Sequence, residues 1–386
     1  MSHTPQLTDS WRLGSLEVPN RVLLAPLAGI GNWFVRLQAK RYGAGMAVSE
    51  MVSSHAIRHR NERTLRELLC IHPDEHRAPA DGAPAPTAIQ LFGQDPAIMR
   101  LAAAEAVVAG ADAIDINMGC PVPKVCKTGS GAALLGDPAR AVAVARAARE
   151  GAEEGRERRA GDAAVGETHA GGTHAGGTHA ARPHAVGTPA GPIPVTVKLR
   201  SGQRPGDTSG FALAHRLVAD AGVAAIGFHP RSAAVQHKGT PDYALAARLV
   251  QTLPAPVILT GGLGDAARVR AAFAETGAAA VMLARGSLGN PWLFAQVLGL
   301  REDGPTRAEV LDELRWVSER AAEHLGGQRA ARYLRKFYPW YIARLGLDRT
   351  HAAALQQALH ASTSLAEAWQ LLDERDAVPR PTLLAA

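Results

Sequence analysis

Short apolar runs recur along the chain, and most are followed by a stretch whose apolar positions return at helical spacing. The runs Val22–Ala25, Met46–Ser49, Thr87–Leu91, Ala113–Asn117, Pro194–Leu199, Ala224–Phe228, Pro256–Thr260 and Ala279–Leu283 read as eight strands. Helical patterns lie between most of them, at Trp33–Tyr42, Pro96–Ala109, Pro138–Arg149, Phe211–Ala221, Tyr243–Thr252 and Ala266–Glu275. Strands alternating with helices imply right-handed βαβ units on a parallel sheet. Eight repeats across about 270 residues predict a closed (β/α)8 TIM barrel rather than an open doubly wound sheet. Trp11–Val18, ahead of the first strand, reads as a short hairpin over the barrel's bottom.

Two segments leave this rhythm. Residues 151–191 carry a five-residue period that places His169, His174, His179 and His184 among Gly, Ala, Thr and Pro. Almost nothing there can form a core, so the segment is expected to be a disordered insertion. Spaced histidines can take up Zn²⁺ or Ni²⁺ adventitiously, but a low-complexity expansion is the better reading. Beyond Thr306 the strand signal stops. Glu309–Leu325, Gln328–Leu345, Arg349–His360 and Ser364–Arg375 read as four helices of a small all-α domain. The expected division is a barrel over residues 1–300 and a helical domain over 305–386.

Composition narrows the class. Of 386 residues, 46% are hydrophobic and 20% charged, enough to bury a large core and to exclude global disorder. No apolar run approaches the ~18–20 residues of a membrane span. The first residues lack a basic patch followed by an apolar stretch, so no secretory signal is expected. Three cysteines, Cys70, Cys120 and Cys126, cannot build a disulfide scaffold, which favours a reducing, cytoplasmic setting. The net charge of +6 and a pI near 9.5 permit a polyanionic partner without demanding one. Arginine dominates the basic residues, as a GC-rich genome would produce.

In a parallel barrel the chemistry sits at the C-terminal ends of the strands. Here those ends carry Ala25-Pro26-Leu27-Ala28-Gly29, Ser49-Glu50-Met51, Gln90, Asn117-Met118-Gly119-Cys120-Pro121, Lys198 with Arg200, His229-Pro230-Arg231, Thr260-Gly261-Gly262 and Ala284-Arg285-Gly286. A purely structural barrel has no need of a lysine, a glutamine, a cysteine and a histidine on one rim. Backbone N–H groups of Gly261, Gly262 and Gly286 suit a phosphate, with Arg285 completing the pocket. Glycines that merely make tight turns are the plainer alternative. Lys198 and Gln90 on the same rim favour a phosphorylated cofactor. No Gly-x-Gly-x-x-Gly follows the first strand, so a Rossmann dinucleotide site is not expected. Cys120 and Cys126 lack the close pairing of a zinc site, so no metal is expected.

The run Asn117-Met118-Gly119-Cys120-Pro121-Val122-Pro123-Lys124-Val125 resembles the signature of the tRNA-dihydrouridine synthases, in particular their bacterial B-type branch. Ala25-Pro26-Leu27-Ala28-Gly29, Ser49-Glu50-Met51, Gln90-Leu91-Phe92-Gly93, Val197-Lys198-Leu199-Arg200, Arg285–Trp292 and Arg335–Tyr341 fit the same family in order. The resemblance implies an FMN-dependent oxidoreductase that reduces the C5–C6 double bond of uridines in the tRNA D-loop, with NADPH as electron donor. It implies no obligate protein partner. It makes Cys120 the acid that protonates C5, a role an ordinary thiol can fill because it is mostly protonated at neutral pH. It places Lys198 beside the N1–C2=O edge of the flavin and Gln90 on its pyrimidine part. Pro26, Leu27 and Ala28 would lie under the ring, and His229 would touch the cofactor. Thr260, Gly261, Gly262, Ala284 and Arg285 would surround the phosphate. Asn117 would face the tRNA, and Lys124 and Arg200, within the same motifs, would contact either the tRNA or the cofactor. The family's usual Asn-Gly-Asp reads Thr260-Gly261-Gly262 here, which puts any side-chain contact to the ribityl chain in doubt. Its His-Gly-Arg reads His229-Pro230-Arg231.

The helical domain adds a charge signature. Between Arg315 and Arg344 lie seven Lys/Arg and two Glu, a local excess of +5 (7 − 2). Arg329, Arg332, Arg335 and Lys336 recur near helical spacing and can share a face for tRNA, followed by Tyr338, Trp340 and Tyr341. The plainer alternative makes those aromatics the domain's core and the basic residues a solvated face. Two other functions compete: a flavin barrel acting on a free pyrimidine, as dihydroorotate dehydrogenases do, and an RNA-binding barrel without catalysis. The basic helical domain disfavours the first, and Lys198, Gln90 and Cys120 together disfavour the second.

Overall fold

Strands β1 (Trp11–Leu13) and β2 (Leu16–Val18) form an antiparallel hairpin, and eight parallel strands follow it. These are β3 (Val22–Leu24), β4 (Met46–Ser53), β5 (Thr87–Phe92), β6 (Ala113–Met118), β7 (Val195–Arg200), β8 (Ala225–His229), β9 (Val257–Thr260) and β10 (Ala280–Leu283). Each pairs with the next in sequence and β10 pairs back on β3, so the sheet closes into the expected barrel. This computed structural model describes residues 4–76, 85–168 and 191–376.

Side chains alternate along each strand, so every second residue points into the barrel. At the lower level those positions are apolar: Leu23, Met46, Ala88, Ala113, Ala225, Ile258 and Ala280 cluster with Trp11, Leu13 and Val18 of the hairpin. Four of these positions are alanine, and the bulky hairpin residues complement them. The hairpin therefore closes the barrel's lower end. Further up the strands the inward positions turn polar, at Gln90, Asp115, Asn117, Lys198 and His229. The barrel interior is dry below and polar above.

One strand departs from the regular ladder. Between Val48 and Met51 the register of β4 against β5 slips, so Ser49 and Glu50 together oppose one residue of β5. Such a bulge re-aims the residues around it. The Ser49 hydroxyl accepts the backbone N–H of Gln90 at 2.9 Å, and Met51 returns to face Gln90.

Helices α1 (Trp33–Arg41), α2 (Ser54–Arg58), α3 (Pro96–Val108), α4 (Pro123–Cys126), α5 (Pro138–Thr168), α6 (Ser209–Ala221), α7 (Tyr243–Thr252), α8 (Ala266–Thr276) and α9 (Trp292–Val297) follow the strands. Asp95, Asp242 and Asp265 cap α3, α7 and α8 by accepting backbone N–H groups of Ile98, Leu245 and Arg268.

The expectation of disorder from residue 151 is corrected over its first part. Helix α5 runs on to Thr168, well past the predicted end at Arg149. Gly151, Gly155 and Arg159 recur four apart and are buried, so one face of the extension packs. A β-carbon at Gly155 would stand 2.6 Å from the carbonyl oxygen of Ala104, and one at Gly151 would overlap that of Arg100. The two glycines let α5 lie against α3. Ion pairs from Arg100 to Glu150 and Glu154, and from Arg158 to Glu105, flank the contact. A window of Gly, Ala, Glu and Arg looks structureless by composition, yet its glycines are what permit the close approach. The histidine repeat at 169, 174, 179 and 184 lies outside the described residues.

The helical part forms a second compact unit, made, among the described residues, of 301–376 with Ser287–Trp292, while Leu293–Leu300 groups with the barrel. Its helices are α10 (Arg307–Leu325), α11 (Gly327–Leu334), α12 (Tyr338–Ile342), α13 (Arg349–Ala361) and α14 (Leu365–Asp376). Thr306 and Glu309 form a capping box at the start of α10. The single helix expected over Gln328–Leu345 is two. Pro339 sits in the first turn of α12, where its missing N–H is harmless, and the chain turns through Arg335–Phe337 before it. Among the described residues no helix is long and apolar enough to cross a membrane.

Candidate active site

The turn after β6 carries Cys120, and side chains fix it from two sides. Asn117 Oδ1 accepts the backbone N–H groups of Gly119 at 3.1 Å and Cys120 at 2.9 Å. Arg200 Nε donates to the Gly119 carbonyl at 2.9 Å, and its Nη1 donates to Gln236 and Ser232 carbonyls at 2.7 and 3.1 Å. Arg200 thus ties the cysteine turn to the loop after β8. The Cys120 carbonyl accepts the N–H of Ala132 at 3.0 Å and the thiol of Cys126 at 3.3 Å. Burial pushes the Cys120 thiol above its ordinary value, and the Cys126 thiol adds to this. The Val122 backbone N–H, Arg200 and Lys198 work the other way. The group is therefore a protonated thiol at neutral pH, with one backbone N–H and two cations ready for a thiolate.

Lys198 enters from β7. Its pKa is lowered to about 8 by burial, with Arg200 adding to the shift and Asp115 and Cys120 opposing it. Its ammonium has no hydrogen-bond partner among the described residues. Gly227 on β8 stands directly opposite in the register and leaves room for the lysine stem. His229 ends β8 and is buried; burial, then Lys198, Arg200, Arg231 and His237, push its pKa far down. Arg231 Nη1 lies 3.3 Å from His229 Nε2. An arginine only donates, so this ring is neutral and carries its proton on Nδ1. Arg285, Arg200, Arg231 and Lys198 all bear on His237 here and, with burial, push its pKa down. Such a cluster of cations suits an anionic ligand.

The loops after β9 and β10 supply backbone rather than side chains. Gly261 has φ +100°, and a β-carbon there would overlap the His229 ring. Only glycine lets the histidine stand against this turn. Tyr243 donates its hydroxyl to the Gly261 carbonyl at 2.9 Å. Thr260 is buried, Ala284 half-buried and Arg285 exposed. A β-carbon at Gly286 would stand 2.7 Å from the Leu263 carbonyl, so the two loops touch through bare backbone. The cradle and its cations fit a phosphorylated cofactor.

The loop after β3 is braced from outside. Pro26 is half-buried, Leu27 buried and Ala28 exposed. Glu50, re-aimed by the bulge, accepts the Gly29 N–H at 2.6 Å and donates its own backbone N–H to the Gly31 carbonyl at 3.2 Å. Arg36 also donates to Gly31 O, at 3.1 Å, while pairing in a bidentate manner with buried Glu75 at 2.7 and 2.8 Å. Burial alone would raise the Glu75 carboxyl, but Arg36 and Lys40 outweigh it and hold it below its ordinary value.

Gln90, Asn117, Lys198, His229 and the Gly261 turn are thus gathered at one barrel mouth with Cys120. Gln90 and Asn117 are also bonded to each other: Asn117 Nδ2 donates to Gln90 Oε1 at 2.8 Å, and Gln90 Nε2 donates to Asp115 Oδ2 at 2.6 Å. Lys124 is exposed on α4. In the helical unit Arg329, Arg332 and Lys336 are exposed, Lys336 over the Tyr333 ring at 4.6 Å. Arg335 is half-buried and donates to the Ser362 carbonyl at 2.9 Å. Tyr338 and Tyr341 are buried, as the plainer alternative had it, and Trp340 is half-buried. Sequence reasoning passed over Asp115, Thr196 and the Arg36–Glu75 pair. Two carried a readable signal: Asp115 and Thr196 fall on the inward parity of their strands, where a polar residue is unusual. Among the described residues no three His, Cys, Asp or Glu side chains gather as metal ligands.

A family model described as dihydrouridine synthase matches residues 23–153 and 184–380. The chain is 32% identical over 369 residues to tRNA-dihydrouridine synthase B of Pseudomonas aeruginosa, covering 94% of this chain and 96% of that protein. It is 33% identical to a probable tRNA-dihydrouridine synthase 1 of Synechocystis, covering 97% and 92%. A probable tRNA-dihydrouridine synthase of Mycobacterium tuberculosis is 32% identical, covering 97% and 87%. Among solved structures, morphinone reductase superposes with a TM-score of 0.49 at 18% identity, covering 80% of this chain and 93% of that one.

Proposed function

The chain belongs to the dihydrouridine synthase family, and from that premise we propose how the barrel mouth does its work. It is a flavin-dependent oxidoreductase that reduces uridine in tRNA to dihydrouridine. The flavin is FMN, held with its phosphate on the backbone turns at Gly261, Gly262 and Gly286, and NADPH is the electron donor. Lys198, His229 and Gln90 would hold the flavin ring together with Pro26, Leu27 and Ala28, and Thr260, Ala284 and Arg285 would hold the phosphate.

When bound, FMN supplies the hydride that reaches C6 of the uracil. C5 then takes a proton, and Cys120 gives it. The S–H bond breaks as the C5–H bond forms, and the electron pair stays on sulfur. The resulting thiolate meets the Val122 N–H and the positive charges of Arg200 and Lys198, and solvent reprotonates it. The raised thiol keeps the acid loaded between turnovers. Lys198 balances negative charge on the cofactor, which its lack of a protein partner leaves it able to do. Asn117 orients the turn, while Lys124 and the exposed basic residues of the helical unit bind tRNA phosphates.

The observation that carries this reading is the half-buried Cys120, its turn held by Asn117 and Arg200, at a barrel mouth that also gathers Lys198 and His229. The test is direct. The purified protein is denatured, its released flavin identified, and the holoenzyme incubated with unmodified tRNA and either NADPH or NADH. FMN, and a uridine mass gain of H2 with NADPH, are expected. Release of another flavin, or no mass gain with either donor, overturns the corresponding part.

A further inference from the structure

The polar upper half of the barrel holds a carboxylate that the proposed chemistry leaves unused. Asp115 is buried, and both of its oxygens accept hydrogen bonds: Oδ1 from Thr196 Oγ1 at 2.6 Å and Oδ2 from Gln90 Nε2 at 2.6 Å. From Gln90 the bonds continue through Asn117 to the backbone of Gly119 and Cys120.

The bonds of this chain run in one direction. Burial pushes the Asp115 carboxyl above its ordinary value, while the bonds from Thr196 and Gln90 and the charge of Lys198 work the other way. The two backbone N–H groups at the far end can only donate, so the chain ends correctly only where the Asp115 oxygen accepts and the NH2 end of Gln90 faces it. The Gln90 oxygen then faces Asn117, which must answer with its own NH2. That leaves the Asn117 oxygen for the two backbone N–H groups of the cysteine turn. Reversing Gln90 would set oxygen against carboxylate and NH2 against NH2. Reversing Asn117 in response would set its NH2 against the N–H groups of Gly119 and Cys120. A reversed pair leaves that turn without its acceptor, at a buried site where unmade bonds are costly.

We propose that Asp115 is a positioning residue: by accepting from Gln90 it sets the direction of the Gln90–Asn117 amide pair, and so the turn that presents Cys120. The catalytic significance rests on reading Cys120 as the acid. The hydrogen-bond relay itself does not. Its requirement is an acceptor at Oδ2, not a negative charge. Asparagine can meet it, giving its oxygen to Gln90 and its NH2 to the Thr196 hydroxyl, which can accept as well as donate.

The test alkylates the flavin-loaded holoenzyme with iodoacetamide across pH and reads Cys120 modification by peptide mass spectrometry. In Asp115→Ala the pH profile is expected to move and the Cys120 rate to rise about five- to tenfold, the equivalent of one hydrogen bond. Gln90→Met breaks the relay one link later and is expected to give the same shift. Asp115→Asn is expected to return the profile to within about twofold of wild type. Wild-type profiles in Asp115→Ala or Gln90→Met overturn the relay. Asp115→Asn behaving like Asp115→Ala assigns the effect to charge and overturns the acceptor role. If Asp115→Ala does not fold, Gln90→Met and Asp115→Asn decide the question. Wild-type enzyme that forms no dihydrouridine sinks the functional reading alone, because alkylation does not depend on turnover.

Discussion

The side-chain oxygen of Asn117 accepts the backbone N–H of Cys120 at 2.9 Å. A residue inside a β-strand thereby sets the angle of the loop that follows it. Its NH2 is bonded to Gln90, so both ends of the amide already have partners within the protein. Asn117 serves any substrate mainly through what it does to the turn. The protein holds Cys120 chiefly by its backbone, and burial keeps the proton on its thiol.

Cys120→Ala should therefore remove one step and spare the rest. Dihydrouridine formation is expected to fall by about 10²–10⁴, the usual worth of a positioned general acid. NADPH-dependent bleaching of the flavin should stay close to wild type, since Asn117 still accepts both turn N–H groups. Cys126→Ala loses a thiol donor to the Cys120 carbonyl, which keeps the Ala132 N–H, and should matter far less. Single-turnover assays with tRNA, beside stopped-flow flavin reduction, separate the steps. A wild-type rate in Cys120→Ala would remove the assignment.

Lys198 gives a pH dependence whose sign is fixed. Its pKa is lowered to about 8, so in the cofactor-free protein its charge is lost as pH rises through that value. An anionic cofactor favours the charged lysine, so above that point binding must take up a proton. The affinity of apoprotein for FMN should then drop by about tenfold per pH unit above pH 8 and level off below it. Lys198→Met should bind more weakly at neutral pH and lose the slope. FMN titrations by fluorescence quenching read both. The same slope in Lys198→Met would place the proton elsewhere.

Much of the fold and the site is legible in the chain, because barrel strands and rim residues announce themselves by periodicity and by residue type. Lys198, His229 and Cys120 are costly residues to set on a strand end without a purpose. What stays hidden depends on geometry that no local pattern carries. The β4 bulge is one inserted residue, and only the partner strand reveals that Glu50 turns toward Gly29. Arg335 resembles its basic neighbours in sequence, yet the turn before Pro339 points it at the carbonyl of Ser362. Helix α5 escapes a reading by composition because its packed face is glycine, which weakens a helix locally and is offset only by contact with α3.

Two glycines of that helix should respond in opposite ways. Gly151→Val puts side-chain atoms onto the Arg100 carbonyl, and overpacking of this kind typically costs about 1–3 kcal/mol. Gly161 is exposed and has no neighbour within 4 Å of where a β-carbon would stand. Gly161→Ala should therefore stabilise the helix by up to about 1 kcal/mol. Urea unfolding of the two variants compares them directly. Equal, negligible effects would mean that α5 does not dock on α3 in solution.

The basic residues of the helical unit divide into two kinds, and a salt titration separates them. Arg329, Arg332 and Lys336 are exposed, so they are placed to meet phosphate. Removing one such charge should flatten the slope of log affinity against log salt by somewhat under one unit. Arg329→Ala with Arg332→Ala should thus weaken tRNA binding, most at low salt, while flavin content holds. Arg335 is different. Its guanidinium donates to the carbonyl of Ser362 at the end of α13, and its own carbonyl meets His360 at 3.0 Å. Removing that side chain uncovers a helix-end carbonyl, at a cost of about 1–3 kcal/mol. Arg335→Ala should lower the melting temperature and change the salt slope little. If instead Arg335→Ala flattens the slope at unchanged stability, its guanidinium leaves Ser362 to bind RNA. If the double variant keeps the wild-type slope, the exposed arginines are only a solvated face, and the tRNA is held elsewhere.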